Sequence, residues 1–215
     1  MPAGRRATID AAFALATRCD YEAPHTHQVT RLALRLFDAL AAAHGLDAEA
    51  RGWLECGALL HDIGWVAGRK GHHKTAARLI MEAEELPLDG RSRQIVACVA
   101  RYHRKALPAV EHELFAGLVP DDRRVVCVLA GLLRVADGLD RSHAGVVDEV
   151  ACEVSPDRAI VRVQTAAGAE PELWAARKKS DLLARALGRR VVIERAGDCR
   201  DGRAICYNRG SHEAI

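Results

Sequence analysis

Histidines and aspartates stand at the ends or on the buried sides of several helical stretches in this sequence. The residues in such positions are His25, His61, Asp62, His103 and Asp137. Imidazole and carboxylate groups bind divalent transition metals, and ligands from several helices form such sites inside a bundle. A metal ion lowers the pKa of a bound water, so a hydroxide that attacks phosphorus becomes available near neutral pH. The pattern therefore predicts a hydrolytic metal centre, with a two-metal clamp if Asp62 bridges two ions.

Each of these residues also has an ordinary structural interpretation. Asp137 is the hardest to explain that way, because a carboxylate in an apolar run needs a partner to offset its desolvation. His103 could instead cap a helix C-terminus, where a cation is favoured. His27 lies about 200° around a helix from His25, so we expect it to be a bystander. Four further histidines are expected at the surface: His44, His112, His143 and His212.

Hydrophobic periodicity over residues 1 to 140 predicts the helices that must position these side chains. The clearest stripe has apolar residues at steps of three and four, which is typical of an amphipathic helix. We expect six helices in an all-α bundle: about Thr8 to Cys19, after Pro24 to Gly45, Asp47 to about Asp62, about Lys74 to Glu85, Arg91 to His103, and Asp121 to Leu139.

From Val146 onward the pattern changes to alternation, which is typical of strands. Two alternating runs flank a turn at Ser155 and predict a hairpin; a helix from Pro171 to Leu187 and a strand from Arg190 to Glu194 follow. We expect a mainly α fold, with an all-α domain over 1–145, a small α+β extension over 146–196 and an irregular C-terminus over 197–215. Three short strands and a helix are marginal alone, so the extension needs the bundle or a partner. A homodimer through its sheet edge is one option.

Composition excludes several classes of protein. A chain of 215 residues with 49% hydrophobic and 28% charged residues is long and apolar enough for one main core. No apolar run approaches the roughly 20 residues of a membrane span. Asp10, Arg18 and Asp20 interrupt the stretch where a signal peptide would be apolar, so we expect a cytoplasmic protein. A net charge of +2 and 4% aromatic residues argue against nucleic acid as the partner.

Four segments that carry these histidines and aspartates closely resemble the C-terminal HD domain of the exopolyphosphatase and guanosine pentaphosphate phosphatase family. The segments are Leu59–Trp65, Gly71–Lys74, Ala100–Lys105 and Leu133–Ser142. A histidine, a His-Asp pair and a distant Asp also form the pattern of the wider HD superfamily of metal-dependent phosphohydrolases. The resemblance runs from about Asp20 to Arg195 and implies an HD-type helical bundle followed by the small extension.

The resemblance also implies a set of metal ligands and phosphate contacts. The first ion would be held by His25, His61, Asp62 and Asp137, and Asp62 would bridge to a second ion held by His103 and either His72 or His73. His and Asp ligands suit Mn, Fe, Co, Ni, Zn or Mg. Asp62 would also take part in catalysis. The basic residues expected to stabilise negative charge on the phosphate are Lys74, Arg101, Arg104 and Lys105.

Two functions are compatible with the resemblance. The first is a phosphohydrolase that cleaves a phosphate ester or anhydride, such as polyphosphate, a guanosine polyphosphate or another nucleotide. Members of the family usually carry an N-terminal actin-like catalytic half, for which 215 residues leave no room, so this activity would lie in the HD half. The alternative is a non-catalytic module that binds polyphosphate or nucleotide and partners a separate actin-like phosphatase subunit. The complete ligand set favours the enzyme.

Overall fold

The computed structural model describes residues 3–166 and 168–197, and these residues form a mainly α fold with a small sheet. The helices are α1 (Ala3–Arg18), α2 (Ala23–Ala39), α3 (Ala41–His44), α4 (Ala48–Leu59), α5 (His72–Glu82), α6 (Gly90–Arg101), α7 (Glu113–Ala116), α8 (Pro120–Gly138), α9 (Glu170–Lys179) and α10 (Asp181–Leu187). A 3₁₀ helix spans Ile63–Ala67, and the strands are β1 (Val147–Val154), β2 (Arg158–Thr165) and β3 (Arg190–Arg195). The predicted fold class is confirmed. Of the predicted irregular C-terminus, residues 198–215 lie outside the described residues.

The bundle is built around α8, which packs against α2, α4, α6, α9 and α10. The predicted stripe of α2 is buried as expected and includes Val29, Leu32 and Leu36. Two helices begin with an aspartate whose side chain accepts a backbone N–H bond: Asp47 before α4 and Asp89 before α6. No helix among the described residues is long and apolar enough to cross a membrane.

Several predicted helices are interrupted in the structure. The helix expected up to Gly45 breaks at Leu40, and the one expected from Pro171 to Leu187 breaks at Ser180. The helix expected to reach Asp62 ends at Leu59, and the 3₁₀ helix takes over after Asp62. Leu40 is fully buried, so the apolar stripe continues across the break and periodicity alone does not reveal it. The expected helix at Lys74 begins earlier, at His72.

The extension is docked on α8 by two close helix contacts. A Cβ atom added at Gly131 would lie 2.8 Å from the Cα of Leu183 in α10, and one at Gly138 would lie 2.7 Å from the Cα of Ala176 in α9. Because these are backbone contacts, only glycine allows the helices to approach this closely. The sheet has the order β1-β2-β3, antiparallel between β1 and β2 and parallel between β2 and β3.

Side chains from helices bond the carbonyl groups of both outer strands. Arg31 donates hydrogen bonds to the carbonyls of Val147 (2.9 Å) and Asp148 (2.7 Å) in β1, and Arg177 Nε donates to the carbonyl of Ile193 in β3 (2.8 Å). Side-chain hydrogen bonds to edge-strand carbonyls protect a sheet edge from pairing with another chain. The predicted homodimer through the sheet edge therefore gains no support from the described residues.

His44 is buried, so its predicted place at the surface is wrong. Its Nε2–H donates to the carbonyl of Phe37 (2.9 Å), and its Nδ1 accepts from the N–H of Leu46 (2.9 Å). Both bonds require the neutral ring, because a protonated Nδ1 cannot accept. Burial lowers the pKa of His44 below its ordinary value. The imidazole thus serves as a neutral cap at the end of α3.

His44 is expected to make the stability of the chain sensitive to acid. Because the folded-state pKa is lowered, this contribution is complete above the unfolded-state value of about 6.5 and is lost as the pH falls below it. Replacing His44 by Leu should cost about 1–3 kcal/mol at pH 7.5, since two buried backbone groups lose partners, and clearly less at pH 5. Urea unfolding at both pH values checks this, with the exposed His27→Leu as control. An equal cost at both pH values would contradict it.

Candidate metal centre and its cavity

Four buried imidazoles from different parts of the bundle meet around one carboxylate. His25 lies in α2, His61 stands two residues after α4, His72 begins α5, and His103 stands two residues after α6. Ring centroids are 5.6 Å apart for His25 and His61, 5.0 Å for His61 and His103, and 5.5 Å for His72 and His103. The helix ends therefore bring together groups that are far apart in sequence, with Asp62 among them.

Three of these rings are held by a hydrogen bond to the main chain three residues earlier. The Nδ1 atoms of His61, His72 and His103 bond the carbonyls of Ala58 (2.7 Å), Arg69 (3.0 Å) and Ala100 (2.7 Å). A carbonyl only accepts, so Nδ1 carries the proton and the Nε2 lone pair faces the other way. Metal-binding histidines are oriented by the same kind of outer bond.

His25 is oriented by a carboxylate instead. Its Nδ1 donates to Asp140 Oδ2 (2.8 Å), and Asp140 Oδ1 accepts from the N–H of Gly145 (2.9 Å). Burial lowers the pKa of His25, but the bond to Asp140 and the charge of Asp137 outweigh burial and raise it. Sequence reasoning missed Asp140. The signal was its position three residues after Asp137, at the end of the same apolar run.

Asp62 lies at the centre of the imidazoles. Its Oδ1 is 3.1 Å from His72 Nε2 and 3.4 Å from His103 Nε2, and its Oδ2 is 3.5 Å from His61 Nε2. Burial works to raise the pKa of Asp62, but the neighbouring imidazoles outweigh it and hold the pKa well below the ordinary range. Burial lowers the pKa of His103 to about 3. The centre thus combines an ionised carboxylate with a neutral imidazole at His103.

The donor atoms form two groups that share Asp62. One group is His25, His61 and Asp62, the other is Asp62, His72 and His103, and within each the ligand atoms lie within 4.8 Å of one another. Asp137 adjoins the first group, with its Oδ1 3.7 Å from His25 Nε2. His73 belongs to neither group, so the structure places His72 and not His73 beside Asp62.

The donor set fits a divalent cation. No hydrogen bond from a described residue reaches the Nε2 atoms of His25 or His61, although both are buried. A buried polar atom without a partner carries a large desolvation cost, which a metal ion at this place would remove. Imidazole nitrogens with carboxylate oxygens suit transition metals, and a shared carboxylate suits two neighbouring ions.

A cavity of about 490 Å³ opens onto this centre, with mostly basic side chains around it. The basic lining residues are Arg69, Arg104, Lys105, Arg141 and Lys179. Arg104 also donates to His72 Nε2 (3.3 Å), which places its guanidinium beside the second donor group. Of these five cations, only Lys179 forms an ion pair within the described residues. The other four have no ion-pair partner among the described residues, although Arg69 also lies over the Trp65 ring, 4.9 Å from its centroid.

Two of the predicted phosphate contacts, Lys74 and Arg101, do not belong to the described lining of the cavity. Lys74 is exposed on α5, about 200° around the helix from His72. Arg101 ends α6 with its guanidinium over the ring of Tyr102, 5.6 Å from the centroid. Both are close to a histidine in sequence but lie outside this lining. Arg104 and Lys105, which follow the end of α6, do line the cavity.

His143 and Lys179 are among the lining residues that sequence reasoning did not identify. His143, expected at the surface, stacks on His25 with ring centroids 3.8 Å apart and bonds Glu22 through Nδ1 (2.9 Å). Lys179 reaches in from the extension and bonds the carboxylate of Asp137. Burial works to raise the pKa of Asp137, but chiefly the Lys179 ammonium brings it down to about 2. No local pattern reveals Lys179, because α9 meets Asp137 only in the folded chain.

A comparison with known proteins agrees with the sequence resemblance. The family model described as Ppx/GppA phosphatase, domain III, matches residues 5–186, which is most of the chain. A search of curated proteins finds no significant match. The matched range includes α1 through α10 almost completely, together with every residue of the two donor groups and Asp137. The chain therefore belongs to the Ppx/GppA phosphatase domain III family.

Proposed function

We propose that this chain is a divalent-metal-dependent phosphohydrolase that cleaves a phosphate ester or anhydride of the polyphosphate, guanosine polyphosphate or nucleotide class. The observation that carries the proposal is a pair of donor groups sharing Asp62 at the base of a cation-lined cavity. The family relation to phosphatases points to the same chemistry. Buried imidazoles gathered around a shared carboxylate favour a metal centre over a surface that only binds anions.

The proposed ligands follow from the two donor groups. His25, His61, Asp62 and Asp137 would hold one ion, and Asp62, His72 and His103 would hold the other. A bound divalent ion supplies Lewis-acid chemistry at a phosphoryl oxygen and makes water more acidic. Mn, Fe, Co, Ni, Zn and Mg are the candidates, with histidine ligands favouring the transition metals.

The other residues of the cavity bind and orient the substrate. Arg104 is placed beside His72, so its guanidinium holds phosphate oxygens next to the second donor group. Lys105 and Arg69 extend this positive surface, where they stabilise the charge that develops on the transferred phosphoryl group. Both donor groups reach the cavity, through His25, Asp62, His72 and His103. His61 is fully buried behind them, so we place substrate and water on the cavity side.

Metal content and phosphate release, measured together, test this function. We expect the purified chain to carry one or two ions. It should release phosphate from polyphosphate, a guanosine polyphosphate or an aryl phosphate, and a chelator should abolish this release until Mn²⁺ is restored. A metal-free chain that binds polyphosphate and hydrolyses nothing would contradict the proposal. That result would instead favour the non-catalytic module that partners a separate actin-like phosphatase subunit.

A further inference from the structure

Lys179 and His25 lie against different oxygens of Asp137. The Lys179 ammonium bonds Oδ2, whereas Oδ1 is the oxygen that lies 3.7 Å from His25 Nε2. Among the described residues, the lysine is hydrogen-bonded to Oδ2, and no hydrogen bond is made to Oδ1, the oxygen nearest the first donor group. A carboxylate held at one oxygen has lost most of its freedom to rotate, which fixes the direction of the other oxygen.

The position of Lys179 is set by the close contact between α8 and α9. Gly138 follows Asp137 directly, and its missing side chain lets α9 approach to the point where a Cβ would lie 2.7 Å from the Cα of Ala176. Lys179 comes three residues after Ala176 and shares its helix face. The contact that brings α9 against Gly138 therefore also brings Lys179 over Asp137.

Two polar contacts hold the same segment on either side of Lys179. Buried Glu172, in the first turn of α9, accepts a hydrogen bond from the N–H of Ser142 (3.0 Å). Asp181, at the start of α10, pairs with the buried guanidinium of Arg134 (3.5 Å). Lys179 thus projects from a segment tied to the bundle at both ends, and this limits the movement of its ammonium group.

We propose that Lys179 is a positioning residue, which holds Oδ2 of Asp137 so that Oδ1 faces His25 and the candidate metal site. The extension would then complete the metal centre. This inference rests on the proposed metal site but not on hydrolysis. Outer partners that orient metal ligands typically contribute about 10- to 100-fold in metal affinity.

Binding of Mn²⁺ to the full-length chain, measured by calorimetry without substrate, tests the role of Lys179. Lys179→Met keeps a side chain of similar length without the charge, and we expect it to weaken Mn²⁺ binding about 10- to 100-fold. Lys179→Arg should recover most of the loss, because guanidinium also bonds a carboxylate oxygen. The matched control is Lys178→Met, which removes an exposed ammonium that lies 4.2 Å from the Trp174 ring centroid and should leave Mn²⁺ binding unchanged.

A second comparison separates positioning from a general effect on folding. In an Asp137→Asn background, Lys179→Met should add little further loss of Mn²⁺ affinity, and all variants should melt cooperatively in chelator. Unchanged or tighter Mn²⁺ binding by Lys179→Met would overturn the proposal, since it would mean that the lysine is neutral or competes with the ion. Wild-type chain that binds Mn²⁺ but releases no phosphate would reject the hydrolase and leave the role of Lys179 standing. Wild-type chain that binds no Mn²⁺ would overturn both.

Discussion

Asp62→Asn is expected to abolish phosphate release and to weaken Mn²⁺ binding by more than the roughly 100-fold that loss of an outer partner costs. Asp62 is the one residue shared by both donor groups, so its loss affects both candidate ion positions. An amide has nearly the volume of a carboxylate, which keeps the packing. It removes the negative charge that lies within 3.5 Å of three imidazole nitrogens. A centre without that charge has little to offset the repulsion between two divalent ions.

The measurements for Asp62→Asn are calorimetric titration with Mn²⁺ and colorimetric detection of released phosphate. Asp148→Asn makes the same chemical change at an exposed position in β1 and serves as the control, with wild-type values expected for both readouts. Circular dichroism in chelator shows whether the variants are folded. Turnover retained by folded Asp62→Asn would rule out the proposed metal centre as the site of hydrolysis.

Gly64→Ala is expected to disrupt the structure around the same centre. A Cβ atom at Gly64 would lie 2.0 Å from the carbonyl oxygen of His72 and 2.7 Å from the backbone nitrogen of Ala76. Both atoms belong to the main chain of α5, so the 3₁₀ helix and α5 must separate to make room. We expect the free energy of unfolding to fall by at least about 3 kcal/mol, which is the upper end of the usual cost of overpacking a core. The displacement should also move His72 away from Asp62 and weaken Mn²⁺ binding.

Urea unfolding of Gly64→Ala and of a matched variant, Gly90→Ala, checks this expectation. Gly90 begins α6, and a Cβ there would meet nothing within 4 Å. Alanine at such a position should stabilise the chain by about 0.4–1 kcal/mol, because it restricts the unfolded state. The same methyl group should thus have effects of opposite sign at the two glycines. Similar stabilities for both variants would show that the 3₁₀ helix and α5 leave room for a methyl group at Gly64.

Periodicity predicts the parts of the fold where burial repeats regularly. The stripe of α2 and the alternation of β2 are visible in the sequence because each presents one face to the core. Burial along β1 is less regular, because its pairing register with β2 shifts between Val147 and Glu149. The breaks at Leu40 and Ser180 are not visible in the sequence, since a break that keeps the same face buried leaves the pattern intact. Periodicity does not predict the parallel pairing of β2 with β3, because this pairing depends on how the intervening helices α9 and α10 pack. The division of the chain at residue 145 remains a prediction.

The candidate centre was predictable where polar groups stand out against apolar surroundings. His61 and Asp62 follow an apolar run, and Asp137 lies within one, so a polar group at each place needs a partner to offset its desolvation. The choice of His72 over His73 was open, because both lie in the first turn of α5 and only its packing selects one. Lys74 lies outside the cavity lining, because the helical repeat places it about 200° around α5 from His72.

The hydrogen bonds from the rings of His61, His72 and His103 to main-chain carbonyls also provide a way to observe the centre without metal or substrate. Each places an imidazole proton in a hydrogen bond, and all three rings are buried. Such protons exchange with solvent only when the surrounding structure opens. The three rings stand at the end of α4, the start of α5 and the end of α6, so their exchange rates would report separately on how often each of these helix ends opens.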